Sequence, residues 1–157
     1  MIYSVRKKRK RKLNFNRHQL RQIAFQSIFI QFFNEDLSCE DAITHALDLF
    51  ESAEDEEYEF VLPEYVVTTV NGVKEHQSEL DALISKHLNK WKLERIAKTD
   101  LAILRLTTYE MLYQSDIPNK VALNEALELA KEFSDDESRR FVNGVLSSIL
   151  TSLEDQA

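Results

Sequence analysis

Residues 99–114 read Thr-Asp-Leu-Ala-Ile-Leu-Arg-Leu-Thr-Thr-Tyr-Glu-Met-Leu-Tyr-Gln. Wound at about 3.6 residues per turn, Leu101, Ile103, Leu104, Leu106, Tyr109, Met111 and Leu112 cover much of the circumference. A helix that is apolar nearly all round is a central one, wrapped by others. The stretch predicts an all-α fold built about this helix. Thr99 is the expected cap, and Asp100 in the first turn suits the positive end of the helix dipole. Arg105 lies in this apolar setting and needs a carboxylate, because an unpaired buried charge is costly. Glu110 and Glu125 are the candidates.

Towards the C-terminus, Ser115-Asp116-Ile117-Pro118 ends the central helix. A helix over 120–133 follows, with Ala122, Ala126 and Ala130 in a row that lets a neighbour approach closely. Ser134-Asp135-Asp136-Glu137 reads as a capping box. It opens a last helix over 135–150, with Val142, Val145, Leu146 and Ile149 turned inward. Gly144 costs that helix ~1 kcal/mol of propensity and suggests close helix contact.

Towards the N-terminus, Asn16 caps a helix over 16–34 whose inward stripe is Leu20, Ile23, Ala24, Ser27, Ile28 and Phe32. His18, Arg21, Phe25 and Phe29 form a basic-aromatic edge beside it. Ser38 caps a helix over 38–50. Residues 51–59 carry six acids and no base, as expected of a solvated connection. The stretch 58–76 holds a β-branched run, 65–70, yet Phe60, Val61, Tyr65, Val66, Thr69, Val70 and Val73 fit helical spacing and a lone strand lacks a partner. It is read as helix. A short helix over 79–88 and a loop about Trp91, expected as a packing anchor, complete seven helices.

Length and composition agree. The 157 residues suit one domain, and two glycines and two prolines are too few for the turns of a many-stranded β fold. The net charge of -7 hides an asymmetry. Residues 1–34 carry nine Lys or Arg and no acid, while the remainder carries 11 basic and 27 acidic side chains. An acidic body with a basic arm is the pattern of a protein that meets a polyanion at one end. Residues 1–15, with seven adjacent charges from Arg6 to Lys12, are expected as a disordered basic tail, and 16–157 as the helical domain. The lone Cys39 forms no internal disulfide and fits a reducing cytoplasm. No apolar run approaches the ~20 residues of a membrane span.

Enzymatic constellations are missing. His18, His45, His76 and His87 show neither Glu-x-x-His nor His-Glu-x-x-His spacing, no Cys pair exists, and no glycine loop is available to cradle a phosphate. No metal, cofactor or small-molecule substrate is expected. The nucleic-acid signal is better. Arg and Lys neutralise phosphates, and ring faces stack unpaired bases for about 1–3 kcal/mol each. Arg17, His18, Arg21, Phe25 and Phe29 combine both ingredients, and Arg139-Arg140-Phe141 repeats the combination. By periodicity alone, Phe25, Phe29 and Phe141 serve equally well as core rings.

Three segments together resemble one family. Asp100-x-Ala102-Ile103-Leu104-Arg105-Leu106-x-x-Tyr109-Glu110 comes first. Pro118-x-x-Val121-Ala122-Leu123-Asn124-Glu125-Ala126-x-Glu128-Leu129-Ala130-Lys131-x-Phe133 and Phe141-Val142-Asn143-Gly144-Val145-Leu146 follow in the order and spacing of the NusB family. Arg17-x-x-x-Arg21-x-x-Ala24-x-Gln26-x-Ile28-Phe29 resembles its opening helix. The likeness spans roughly 17–150 and is weakest over 35–85.

The resemblance implies an all-α fold of two helical subdomains and a transcription antitermination factor, not an enzyme. It implies binding of the single-stranded boxA element of nascent ribosomal RNA and pairing with NusE, a ribosomal small-subunit protein. With other Nus factors, this complex joins the elongating RNA polymerase. Carried over by position, the RNA contacts are Arg17, His18, Gln19, Arg21, Phe29, Arg140, Phe141 and Asn143, and the acidic NusE contacts are Glu94 and Asp100. Departures are Leu20 where Ala is usual, His18 where a base is common, and Phe29 where Tyr is common. Phe29 stacks without a hydroxyl to donate. Two alternatives remain: a helical protein-interaction module without an RNA role, and the accessory module of a ribosomal RNA cytosine methyltransferase. The latter would need a large α/β domain that this sequence lacks. The RNA reading expects the two basic-aromatic sets, from the opening and last helices, to converge on one cationic stacking surface.

Overall fold

A computed structural model describes residues 9–50 and 58–156. Seven α-helices are present among them: α1 Arg17–Phe32, α2 Cys39–Phe50, α3 Glu64–Glu75, α4 Gln77–Lys86, α5 Lys98–Tyr113, α6 Asn119–Phe133 and α7 Asp136–Asp155. The central position of α5 follows from its composition, since every residue over 100–111 is buried. Burying one such Leu or Ile side chain stabilises the fold by about 1.5–3 kcal/mol relative to exposure. Helices α1, α2 and α3 pack on one another, and α6 and α7 pack together. Helix α5 touches α1, α3, α4, α6 and α7, so it joins the two groups.

The helix ends have local causes. Asn16 accepts from the Gln19 backbone N–H at 2.8 Å, and the Gln19 side chain accepts from the Asn16 N–H at 3.0 Å, a reciprocal cap. Ser38 Oγ accepts from the Asp41 N–H. Helix α5 starts one residue before Thr99, after Ala97, with no side-chain cap. The expected box at 134–137 is displaced by one residue: Asp135 caps α7 by accepting from the Ser138 N–H, while Ser134 closes α6 through its own N–H to the Ala130 carbonyl.

Five further expectations need correction. Residues 58–60 are not helical: Tyr58–Phe60 (β2) pairs in parallel with Arg9–Arg11 (β1), and Lys10 is registered against Glu59. The strand expected to lack a partner finds one in the basic segment, so the described part of that segment is not a free tail; residues 1–8 lie outside the described residues. Helix α3 then starts after Pro63, whose fixed φ suits a helix entry. Arg105 pairs with neither Glu110 nor Glu125. Its Nε and Nη2 donate to the two oxygens of Asp81 on α4 at 2.7 and 2.8 Å. Positions 105 and 110 lie on different faces of one helix.

Trp91 is 61% exposed and anchors no packing. It sits in the irregular stretch between α4 and a 3-10 turn at Leu93–Arg95, with no apolar stripe to join. The close-packed glycine is Gly72, not Gly144. A Cβ on Gly72 would lie 2.2 Å from the Tyr109 ring, whereas a Cβ on Gly144 would meet nothing within 4 Å. No helix among the described residues is long and apolar enough to cross a membrane.

Candidate nucleic-acid interface

The α1 set divides between surface and interior. Arg17 is exposed in the first turn. His18 is half-buried and held by α6: its Nδ1 lies 2.9 Å from Glu125 Oε2, and its Nε2 contacts Glu132. The hydrogen bond to Glu125 pushes the imidazole pKa up, against the effect of burial and with help from Glu132. Gln19 spends its carbonyl oxygen on the α1 cap. Phe29 is half-buried between Phe25, 6.0 Å away and stacked, and Phe33, 5.1 Å away and edge-on. Phe25 is buried against Phe133, so it belongs to the core and not to an edge. Phe33 is 65% exposed and carries the Lys98 ammonium 4.7 Å above its ring.

Arg21 is the main departure from the expected contact set. It is buried, with Nε donating to both Glu110 oxygens at 3.2 and 3.3 Å and Nη2 donating at 3.3 Å. The Tyr65 hydroxyl donates to Glu110 Oε1 at 2.5 Å. Burial works against the guanidinium charge, but the Glu110 carboxylate outweighs it and holds Arg21 protonated. Burial, with Glu110 adding, pushes the Tyr65 phenol up, so it stays a donor. Arg21 is thus a structural tie among α1, α3 and α5 and is withheld from any phosphate. No pattern in sequence distinguishes it from Arg17; only its register on the buried face of α1 does.

The α7 set is presented to solvent. Arg139, Arg140 and Asn143 are exposed and line, with Leu127 and Asp136, a groove between α6 and α7. Phe141 is half-buried, one edge packed on the core. The two sets flank α6, one through the His18 contacts and the other across this groove. No hydrogen bond, ion pair or ring contact among the described residues joins them directly; both border α6.

The acidic pair is also split. Glu94 is exposed in the 3-10 turn, while Asp100 is 6% exposed. Asp100 Oδ2 accepts from Ser138 Oγ at 3.1 Å, and its Oδ1 has no partner. Burial pushes this carboxyl up, although Ser138 pulls it down and Asp135 adds to the rise. The cleft beside it is lined by Arg95, Asp135, Glu137 and Phe141. Among the described residues, no group of His, Cys, Asp or Glu is arranged to hold a metal ion.

Known proteins share this fold. The sequence pattern of the NusB family matches residues 18–151. A transcription antitermination protein NusB from Enterococcus faecalis is 47% identical over 153 residues, covering 96% of this chain and 99% of that one. The solved structure of T. maritima NusB is 36% identical, with a TM-score of 0.74 over 87% of this chain and 92% of the other. A NusB in a solved complex of antitermination factors NusB and NusE with dsRNA is 22% identical, with a TM-score of 0.73 over 87% and 96%, a likeness of fold. With the helix order, the buried α5 and these relatives in agreement, the chain belongs to the NusB family.

Proposed function

We propose that this chain is a transcription antitermination factor. It binds the single-stranded boxA element of nascent ribosomal RNA together with NusE, works in the cytoplasm, and joins the elongating polymerase with other Nus factors. The observation that carries the reading is the solvent-facing Arg139, Arg140 and Asn143 beside the Phe141 ring on α7. This is cation and ring chemistry suited to phosphate and base. The antitermination name of the 47% identical relative and the NusE–RNA complex of a fold relative support it.

Arg17, Phe29, Arg140, Phe141 and Asn143 are the direct RNA contacts in this reading. His18 and Gln19 contribute through the α1 start they organise, and Arg21 only through the fold. Glu94 meets the basic NusE partner, and Asp100 shapes the acidic cleft beside it. Fluorescence anisotropy of boxA RNA against a scrambled RNA, with and without NusE, tests the proposal. Tighter binding of boxA, strengthened by NusE, is expected; equal affinity for both RNAs with no effect of NusE overturns it.

A further inference from the structure

Trp91 and Phe141 stand between two clefts of opposite charge. On one side lie Asp100, Asp135 and Glu137, relieved only by Arg95. On the other lie His87, Lys90 and Arg140, with Gly144 in the floor. Among the described residues, no acidic side chain lines that second cleft. Its floor is bare because a Cβ on Gly144 would meet no atom within 4 Å. One wall is α7; the other is the chain leaving α4, tied to α7 where His87 Nδ1 meets Ser148 Oγ at 2.7 Å. The indole that rims it is 61% exposed, although a large apolar side chain loses about 1.5–3 kcal/mol by staying in water.

We propose that this basic cleft is a base-stacking subsite that takes one unpaired nucleobase of a single-stranded RNA against the Trp91 indole. The flanking phosphates lie on Arg140 and Lys90. The geometry suits such a ligand in three respects. An exposed ring offers the flat face that every base accepts without regard to sequence. The net positive lining of one cleft and the net negative lining of the other set where the backbone runs, because the acidic cleft repels phosphate. The glycine floor leaves room for a planar group to slide between the walls. The proposal rests on the RNA-binding reading above and extends the interface to residues of the α4–α5 connection.

Trp91 is the sole tryptophan, so intrinsic emission reports on this position alone. Full-length protein is titrated with an unlabelled oligouridylate and, separately, with a blunt RNA duplex. Affinity is measured in parallel by anisotropy of a labelled single strand. Single strands are expected to quench the indole along the same saturation curve as anisotropy, and the duplex to quench it much less. Losing one base stack weakens binding on the order of 5- to 150-fold, the factor equivalent to ~1–3 kcal/mol.

Trp91→Ala is expected to show that loss, and Trp91→Phe to recover most of it. Gly144→Leu, which fills the floor, should weaken binding as well. Circular dichroism is expected to stay unchanged for both Trp91 variants, because the side chain is exposed. Binding with unchanged emission, or parental affinity in Trp91→Ala, overturns the subsite and leaves the RNA-binding reading standing. Absence of binding to any RNA overturns both. An indole that responds to NusE but not to RNA assigns the cleft to protein recognition and also overturns the subsite.

Discussion

The Arg21 guanidinium of α1 and the Glu110 carboxylate of α5, 89 residues apart in sequence, face each other at 3.2 Å with both side chains almost fully enclosed. Removing one partner leaves the other charge buried without compensation. Glu110→Ala is expected to lower unfolding free energy by about 3–5 kcal/mol, read from urea denaturation. Replacing both partners with apolar side chains of similar size, as in Arg21→Met with Glu110→Leu, should recover most of that loss. A double variant as unstable as the single would show that the ion pair itself, and not the filled volume, carries the stability.

The same pair predicts how RNA-binding variants sort. Arg140→Ala removes an exposed cation, so it should leave the melting curve within ~0.5 kcal/mol of the parent. It should also reduce the slope of log affinity against log salt by ~0.7. Arg21→Ala should instead destabilise the fold, and any loss of RNA affinity should track the unfolded fraction. Equal melting curves for the two variants, measured by circular dichroism, would contradict the division between them.

His18 makes one part of the stability depend on pH. Its contacts with Glu125 and Glu132 raise the folded-state pKa above the unfolded value of about 6.5. The resulting stabilisation is fully present below the unfolded pKa and fades as pH rises through the raised folded one. Each of the three side chains is about a third exposed, so the effect is held to ~1 kcal/mol or less. Urea midpoints of the parent and His18→Gln should therefore differ in mild acid and converge in alkali. A difference that grows with pH would reverse the assignment.

The two glycines should respond oppositely to alanine. At Gly72, the added methyl would fall 2.2 Å from Tyr109 Cζ and Oη, and this overpacking is expected to cost about 1–3 kcal/mol. At Gly144 the space is open, and the better helix former should add up to ~1 kcal/mol. Thermal unfolding of both variants separates the two cases.

The fold was largely legible because helical spacing dictates which faces are wet or dry. The all-round apolar 99–114 stretch had to be central, and the 65–70 run, β-branched but spaced for a helix, became α3 once α1 and α5 offered it a surface. What escaped was pairing over distance. Arg105 chose Asp81 and Arg21 took Glu110, because a carboxylate's partner depends on which helices cross, and one sequence does not encode that locally. The β1–β2 ladder was hidden in a run of like charge that gives no strand pattern. At the site, exposed Arg140 and Asn143 followed from the α7 stripe. The burial of Arg21 was not legible against the exposure of Arg17, because each lies one heptad before a buried residue, Ile28 and Ala24.

Because α5 is enclosed on every side by helices from both groups, neither half of the polypeptide owns a finished interior. Cleavage in the exposed connection near Trp91 would leave an N-terminal fragment with an open apolar trough and a C-terminal fragment whose α5 is bared on the side that faces α1, α3 and α4. Each piece alone should aggregate, and the two mixed should reassemble, which makes this connection the natural place to split the protein into complementing reporters.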